Sequence, residues 1–411
     1  MEQAGWRQCL WSKQGIVYAL YGAVFFLPLS QMMVDVFLVW ALLLSVRRCM
    51  AAGRLEWKAG PAAWPAGGFM LMAFFSVFSS KVPLFSFCNY LLLPFTYMIL
   101  YVLLYTYIET KEEKERVLFC FLAGALAVAA YGFYQYGHIK NMAAMDWVDP
   151  KRFPLLYRRM YSTLGNPNLL GAYLVMVLSM AAPFALMEKN RKRKMLLTGC
   201  LAVCMTGLLL TYSRNAWVSL GCAVLAAAIV YDKRLFAVLG AAALFILFYH
   251  GQVTERFLSL FTGADTSTDL RFALWESTWA MIQDHWVSGI GWGSYFAAYP
   301  AYNFFMADPH IIIYHAHNMY LSMTAEIGVP GALCFFIFFF AQGFLGWHLY
   351  KNSSDRFGRA AGLGIFLVVT AMAVEGLGDY VLFSRAVSLC FWGLSAVAAS
   401  CWSEEQKNKI G

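Results

Sequence analysis

Charge is what this sequence has least of. Only 13% of its 411 residues are Asp, Glu, Lys or Arg, against about 25% in an ordinary soluble domain. With 61% of the chain hydrophobic, a soluble fold cannot bury enough side chains, and a water-exposed globule is excluded. Cysteine gives no disulfide framework: its 10 copies fall in apolar runs or beside the basic segments. No nucleic-acid module is visible. The glycines of GIGWG, 289–293, stand outside any strand–loop–helix context, which argues against a nucleotide loop. There is no period of about 20–50 residues and no pair of mirrored halves, as transporters show.

What remains is a series of apolar stretches about as long as a bilayer is thick. Lipid-exposed backbone must satisfy its own hydrogen bonds, so these are expected to be helices. The expectation is an all-α polytopic membrane protein forming a single membrane domain over 1–411, with about 12 transmembrane helices and a large extracytoplasmic loop containing amphipathic helices. The spans fall near 14–31, 32–46, 62–79, 83–108, 117–137, 168–187, 195–213, 215–231, 234–250, 316–346, 359–378 and 382–401. No small-residue cleavage site follows the first, so it is read as a retained anchor.

Lys and Arg set the orientation. With both termini in the cytoplasm, 21 of the 31 basic residues lie inside, and the EKNRKRK run at 188–194 is the strongest vote. Two long polar segments then fall outside. The first, 138–167, is a basic loop with Lys140, Lys151, Arg152, Arg158 and Arg159 against Asp146 and Asp149. The second, 251–315, is the large outer loop between spans 9 and 10. Within it, 268–284 has helical periodicity, with Phe272, Trp275, Trp279 and Ile282 as an apolar stripe and Asp269 as the cap. Such a helix would lie along the membrane surface.

Three positions stand out chemically. Arg214 sits in almost no polar gap between two apolar runs, where an arginine is costly unless paired or wetted. Snorkelling to the headgroups is the plainer alternative. Arg271, second in the expected surface helix, suits an anion held at the free amides of a helix start, with an ordinary exposed arginine as the plainer alternative. His315 and His317 stand at the lip of the tenth span. Histidine titrates near neutrality and suits proton transfer. No carboxylate or cysteine cluster lies nearby in sequence, so no metal is expected. His138, His250, His285 and His310 are read as surface residues, and Glu326 as packing glue within the tenth span.

Four stretches together resemble the O-antigen ligase family of membrane glycosyltransferases. They are YSTLGNPNLLGAYL (161–174), YSRNAW (212–217), RFALWESTWAMIQDHWVSGIGWGSYFAAYP (271–300) and HNMYLSMTAEIGVPG (317–331). The last resembles the family's pattern of His, then Asn, Ser or Gln, nine residues, Gly, two residues, Gly, at His317, Asn318, Gly328 and Gly331. Trp286 departs from it, since the family usually has proline there. The resemblance implies a glycan donor on undecaprenyl diphosphate. The acceptor would be a glycolipid or, for a polymerase, a second lipid-linked glycan. His317 would be catalytic, Arg214 and Arg271 would bind the diphosphate, and Asn318, His315, Asn166 and Asn168 would support them. No cofactor, metal or nucleic acid is implied. Location in a bacterial inner membrane follows, with the active site extracytoplasmic. A lipid-linked glycan transporter is the less favoured alternative, because the candidate residues gather at one face.

Overall fold

A computed structural model describes residues 12–139, 158–248, 254, 266–304 and 312–410. Among the described residues the fold is helical, without strands. The α-helices are α1 (Lys13–Phe26), α2 (Gln31–Ala52), α3 (Ala63–Ser76), α4 (Pro83–Leu92), α5 (Pro94–Tyr107), α6 (Lys111–His138), α7 (Pro167–Met187) and α8 (Arg191–Leu210). They continue with α9 (Arg214–Val230), α10 (Phe236–Phe248), α11 (Thr266–Asp284), α12 (Tyr295–Ala298), α13 (Met319–Asn352), α14 (Arg356–Gly378) and α15 (Arg385–Ile410).

Each expected span is helical where it is described, yet among the described residues 7 helical stretches are long and apolar enough to cross a membrane. The difference from twelve has visible causes. Helices α1 and α3 have 14 residues, and α10 is described only as far as Phe248. At about 1.5 Å per residue α1 and α3 fall well short of a hydrocarbon core of roughly 30 Å. Helix α2 is long enough but carries Asp35, Arg47 and Arg48. Helix α9, with 17 residues, is also short of that length, whereas the fourth span still counts as one stretch, Pro83–Tyr107, although Leu93 interrupts it before Pro94.

Helix starts follow their caps. Thr110 and Glu113 form a reciprocal capping box at α6. Asn166 caps α7 through the Asn168 amide, and Asn318 caps α13 through the Leu321 amide. Helices α7, α13, α14 and α15 form the inside of the bundle, with α14 packed against α7, α9, α13 and α15. Trp392 and Phe338 stack at 4.2 Å between ring centroids in that core.

A second, smaller core joins Leu274, Met281, Ile290, Tyr295 and Tyr299 to Ala316 and Ala325, and so docks α11 and α12 on α13. The buried face of α11 is Leu274, Ser277, Thr278 and Met281, whereas Phe272 and Trp279 are exposed. The expected aromatic stripe is therefore split: Ile282 turns inward and Phe272 outward, because the docking partner takes the Leu274–Met281 face. The helix also begins by Thr266, which removes Asp269 as its cap. The nine described cysteines are free.

Candidate functional site

One end of the bundle collects the polar residues. Asn166 and Asn168 start α7, Ser213 and Arg214 start α9, His317 and Asn318 lead into α13, and Asp379 follows the last residue of α14. Packing holds these ends together. A side chain at Gly171 would strike Ala216 and Ser213, so α7 and α9 touch closely at their starts. Asn215 donates to the Glu375 carbonyl of α14 at 2.7 Å. Arg214 is thus one residue from a link to the last turn of α14, and it is half-buried.

His317 adopts a left-handed backbone, with φ of 49°, which a histidine enters at some cost. The conformation turns the chain into the Asn318 cap. It also directs the ring at Asp379, whose Oδ1 lies 3.0 Å from His317 Nδ1. With Nδ1–H donating to the carboxylate, Nε2 is left as the basic nitrogen. The ring keeps 38% of its side-chain surface exposed, while Asp379 keeps 8%. One group is buried and holds; the other is open and can react.

Asp379 is fully engaged. Its Oδ1 also accepts from the Tyr380 amide at 2.8 Å, and its Oδ2 accepts from Asn168 Nδ2 at 3.2 Å. Burial favours the neutral acid, but the His317 hydrogen bond and the charges of His317, His315 and Arg271 win, holding the carboxyl well below its usual range. Asn168 in turn accepts from Arg159 Nη2 at 2.9 Å. Arg159 is buried and donates through Nε to the Thr211 carbonyl at 2.8 Å. A chain of contacts therefore runs Arg159, Asn168, Asp379, His317.

His315 lies under His317, with ring centroids 4.4 Å apart, and its Nδ1 accepts the His317 backbone N–H at 3.2 Å. Burial pushes its imidazole down to about 4, against an opposing pull from Asp379, so it is neutral at pH 7. Asn318 is used twice by the fold, at the Leu321 amide and, through Nδ2, at the Leu377 carbonyl 3.1 Å away. Its side chain fixes the approach of α13 to α14.

Arg271 is half-buried on α11, and its charge acts on both Asp379 and His315. One turn on, Trp275 Nε1 donates to the Ala316 carbonyl at 3.0 Å, which ties this face of α11 to the histidine segment. Since α11 begins by Thr266, Arg271 lies past the first turn. The expected pairing of Arg271 with free amides at a helix start is not what the geometry offers; its nearness to the histidines is.

The glycine-rich segment after α11 has a structural purpose. Within α13 the helix is broken at Gly328, with φ 70° and ψ 170°. The freed backbone pairs with the loop: Ile290 N–H to Ala325 O at 2.8 Å, Gly291 N–H to Glu326 O at 3.1 Å, and Val329 N–H to Trp286 O at 2.7 Å. A Cβ on Gly289 would lie 2.3 Å from the Glu326 carbonyl oxygen, and one on Gly328 2.2 Å from the Val287 oxygen. Trp286 enters this zipper by its carbonyl, which proline also has, so the departure at 286 costs nothing there.

Asp379 and Arg159 are site residues that the sequence reading did not select as such. Asp379 was detectable only as a lone acid closing a long apolar run. One possible ligand atom from each of His315, His317 and Asp379 lies within 4.8 Å of the others, close enough to share a metal ion. His315 Nδ1 and Asp379 Oδ1 each already accept a protein hydrogen. Lys140, Asp146, Asp149, Lys151, Arg152, His250 and His310 lie outside the described residues.

Against known proteins, no curated sequence matches the chain. A family model described as O-antigen ligase does match, over residues 198–336. That stretch holds Arg214, Arg271, His315, His317 and Asn318, and leaves out Asn166, Asn168 and Asp379. The match runs from α8 into α13 and covers about a third of the chain, and over that stretch this membrane protein is similar to O-antigen ligases.

Proposed function

We propose that the protein is a membrane glycosyltransferase of the ligase type. It would move a glycan from undecaprenyl diphosphate to an acceptor hydroxyl at the outer face of a bacterial inner membrane. The observation that carries this reading is the His317–Asp379 contact, with an open imidazole beside Arg271.

The chemistry follows from the charges. The bond between the anomeric carbon and the diphosphate oxygen breaks, and a bond from the acceptor oxygen to the same carbon forms. His317 Nε2 takes the hydroxyl proton as the acceptor attacks. Asp379 keeps the tautomer that leaves Nε2 free and stabilises the imidazolium. The leaving diphosphate carries away the electron pair and its negative charge. Arg214 and Arg271 would receive it, since guanidinium groups stay charged and grip phosphate through paired N–H groups. Attack opposite the leaving group inverts the anomeric centre.

The test is transfer by the purified full-length protein in liposomes, with a lipid-diphosphate glycan donor. His317→Ala should lower turnover by a factor on the order of 100 to 10,000, and Arg214→Ala and Arg271→Ala should each weaken transfer strongly. Near-normal transfer by His317→Ala removes the base assignment. Activity that a chelator abolishes and zinc or magnesium restores replaces proton transfer with metal chemistry. Supplying either a glycolipid or a second donor as acceptor separates ligase from polymerase.

A further inference from the structure

A cavity of about 1440 Å³ opens at the far end of the bundle from His317. Its place follows from chain direction. Helix α7 runs from Asn168 at the histidine end to Met187 at the cavity, and α14 runs back from Arg356 at the cavity to Asp379. The basic segments favour the cytoplasm for this end. The walls come from α6, α7, α8 and α14.

The cavity has two chemistries. Its deep part is apolar: Val177, Met180, Phe184 and Leu394 line it. Its rim is charged, with Lys111, Arg116, Lys189, Arg193, Arg356 and Arg359 against Glu112, Glu115, Glu188 and Asp355. Lys111 is tied to Asp355 at 2.9 Å. Glu188 accepts the Asn190 amide at 2.8 Å, and the charges of Arg193 and Arg356 both reach it, so these two arginines from different helices converge. Among the described residues none of Arg116, Lys189, Arg193, Arg356 or Arg359 forms an ion pair. All five are exposed.

We infer that this cavity is a binding site for an anionic phospholipid, with its phosphate among Arg116, Arg193 and Arg356 and its acyl chains in the apolar well. The volume exceeds the roughly 300–1,000 Å³ that suits compact ligands. An apolar well needs long chains, and a cationic rim at headgroup level needs a negative head. Basic pockets between spanning helices meet both needs. A zwitterionic lipid would fill the well but leave the arginines unmatched. Free phosphate would match the arginines but leave the well open. The inference does not depend on the proposed transferase reaction, since no residue of the His317 site takes part.

The test uses the full-length protein in detergent, relipidated in turn with dioleoylphosphatidylglycerol, dioleoylphosphatidylcholine or inorganic phosphate alone. Native mass spectrometry reads retained lipid and thermal unfolding reads stabilisation. Phosphatidylglycerol should be retained and should raise Tm, with little effect from the other two. Each of Arg116→Gln, Arg193→Gln and Arg356→Gln should weaken retention about fivefold, the effect of one surface cation on an anionic lipid. Because these side chains are exposed and outside ion pairs, the variants should fold. Ala181→Trp, on the cavity wall, should block the well and lower retention with every rim charge intact. Equal retention of phosphatidylcholine overturns the inference, as does full stabilisation by phosphate alone. So does wild-type retention by Ala181→Trp or by the arginine variants.

Discussion

Nδ1 of His317 lies 3.0 Å from Oδ1 of Asp379, across 62 residues of chain. The contact joins the start of α13 to the end of α14, so it depends on the two helices packing correctly. Asp379→Asn should keep the packing but present an amide, which can hold the wrong tautomer or leave the imidazolium unstabilised. Turnover should fall by a factor on the order of 100 to 10,000 while the donor KM changes far less. A variant with normal turnover would mean that Asp379 merely caps the loop.

Asn168 is a positioning residue behind that pair. Its amide nitrogen donates to Asp379 Oδ2 at 3.2 Å and its oxygen accepts from Arg159 at 2.9 Å, so Arg159 sets which way the amide points. Asn168→Ala leaves the buried Arg159 and Asp379 each short of a partner, at about 1–3 kcal/mol for such a loss. Turnover should fall roughly tenfold, with a shifted acid limb in its pH profile, since the Asp379 carboxylate is less well held. An unchanged pH profile with only a lower Tm would reduce Asn168 to a structural role.

The apolar runs showed where helices lie, because bilayer thickness imposes their length. The same runs hid the break at Gly328. An apolar stretch looks continuous whether or not a loop distant in sequence takes over its backbone hydrogen bonds. Arg271 could be singled out by its type, yet its register on α11 was misread, because the helix begins before Asp269 and its buried face is chosen by α13. Asp379 was obscured for a related reason. Its meaning comes from His317, Asn168 and Tyr380, which only tertiary packing brings to it.

The zipper between the glycine loop and α13 predicts where a methyl group is intolerable. Gly289 and Gly328 both have positive φ, of 69° and 70°. Gly289→Ala and Gly328→Ala each add left-handed strain of about 1–2 kcal/mol and a clash against backbone oxygen, where overpacking adds about 1–3 kcal/mol. Both variants should lower folded yield in the membrane and Tm after extraction. Gly240→Ala, where nothing stands within 4 Å of the added Cβ, should have no such effect. Equal Tm for all three would show that the close approach does not constrain the fold.

His315 predicts a pH dependence of stability whose sign can be worked out. Burial holds its folded pKa near 4, whereas an unfolded histidine titrates near 6.5. Between those values the unfolded chain binds a proton that the folded one refuses, so stability falls as pH drops from about 6.5 to about 4. The full effect is roughly 3 kcal/mol. Asp379 behaves differently: its carboxyl stays ionised when folded to well below the usual range, so its contribution fades only below about pH 4. His315→Asn removes the titration but places a side-chain oxygen near the position of Nδ1, where it can accept the His317 N–H. Thermal unfolding from pH 7 to 4.5 should show Tm falling more steeply for the wild type than for His315→Asn. Parallel curves would mean that His315 takes up its proton without leaving the fold, and that its burial beneath His317 is looser than the 4.4 Å ring contact implies.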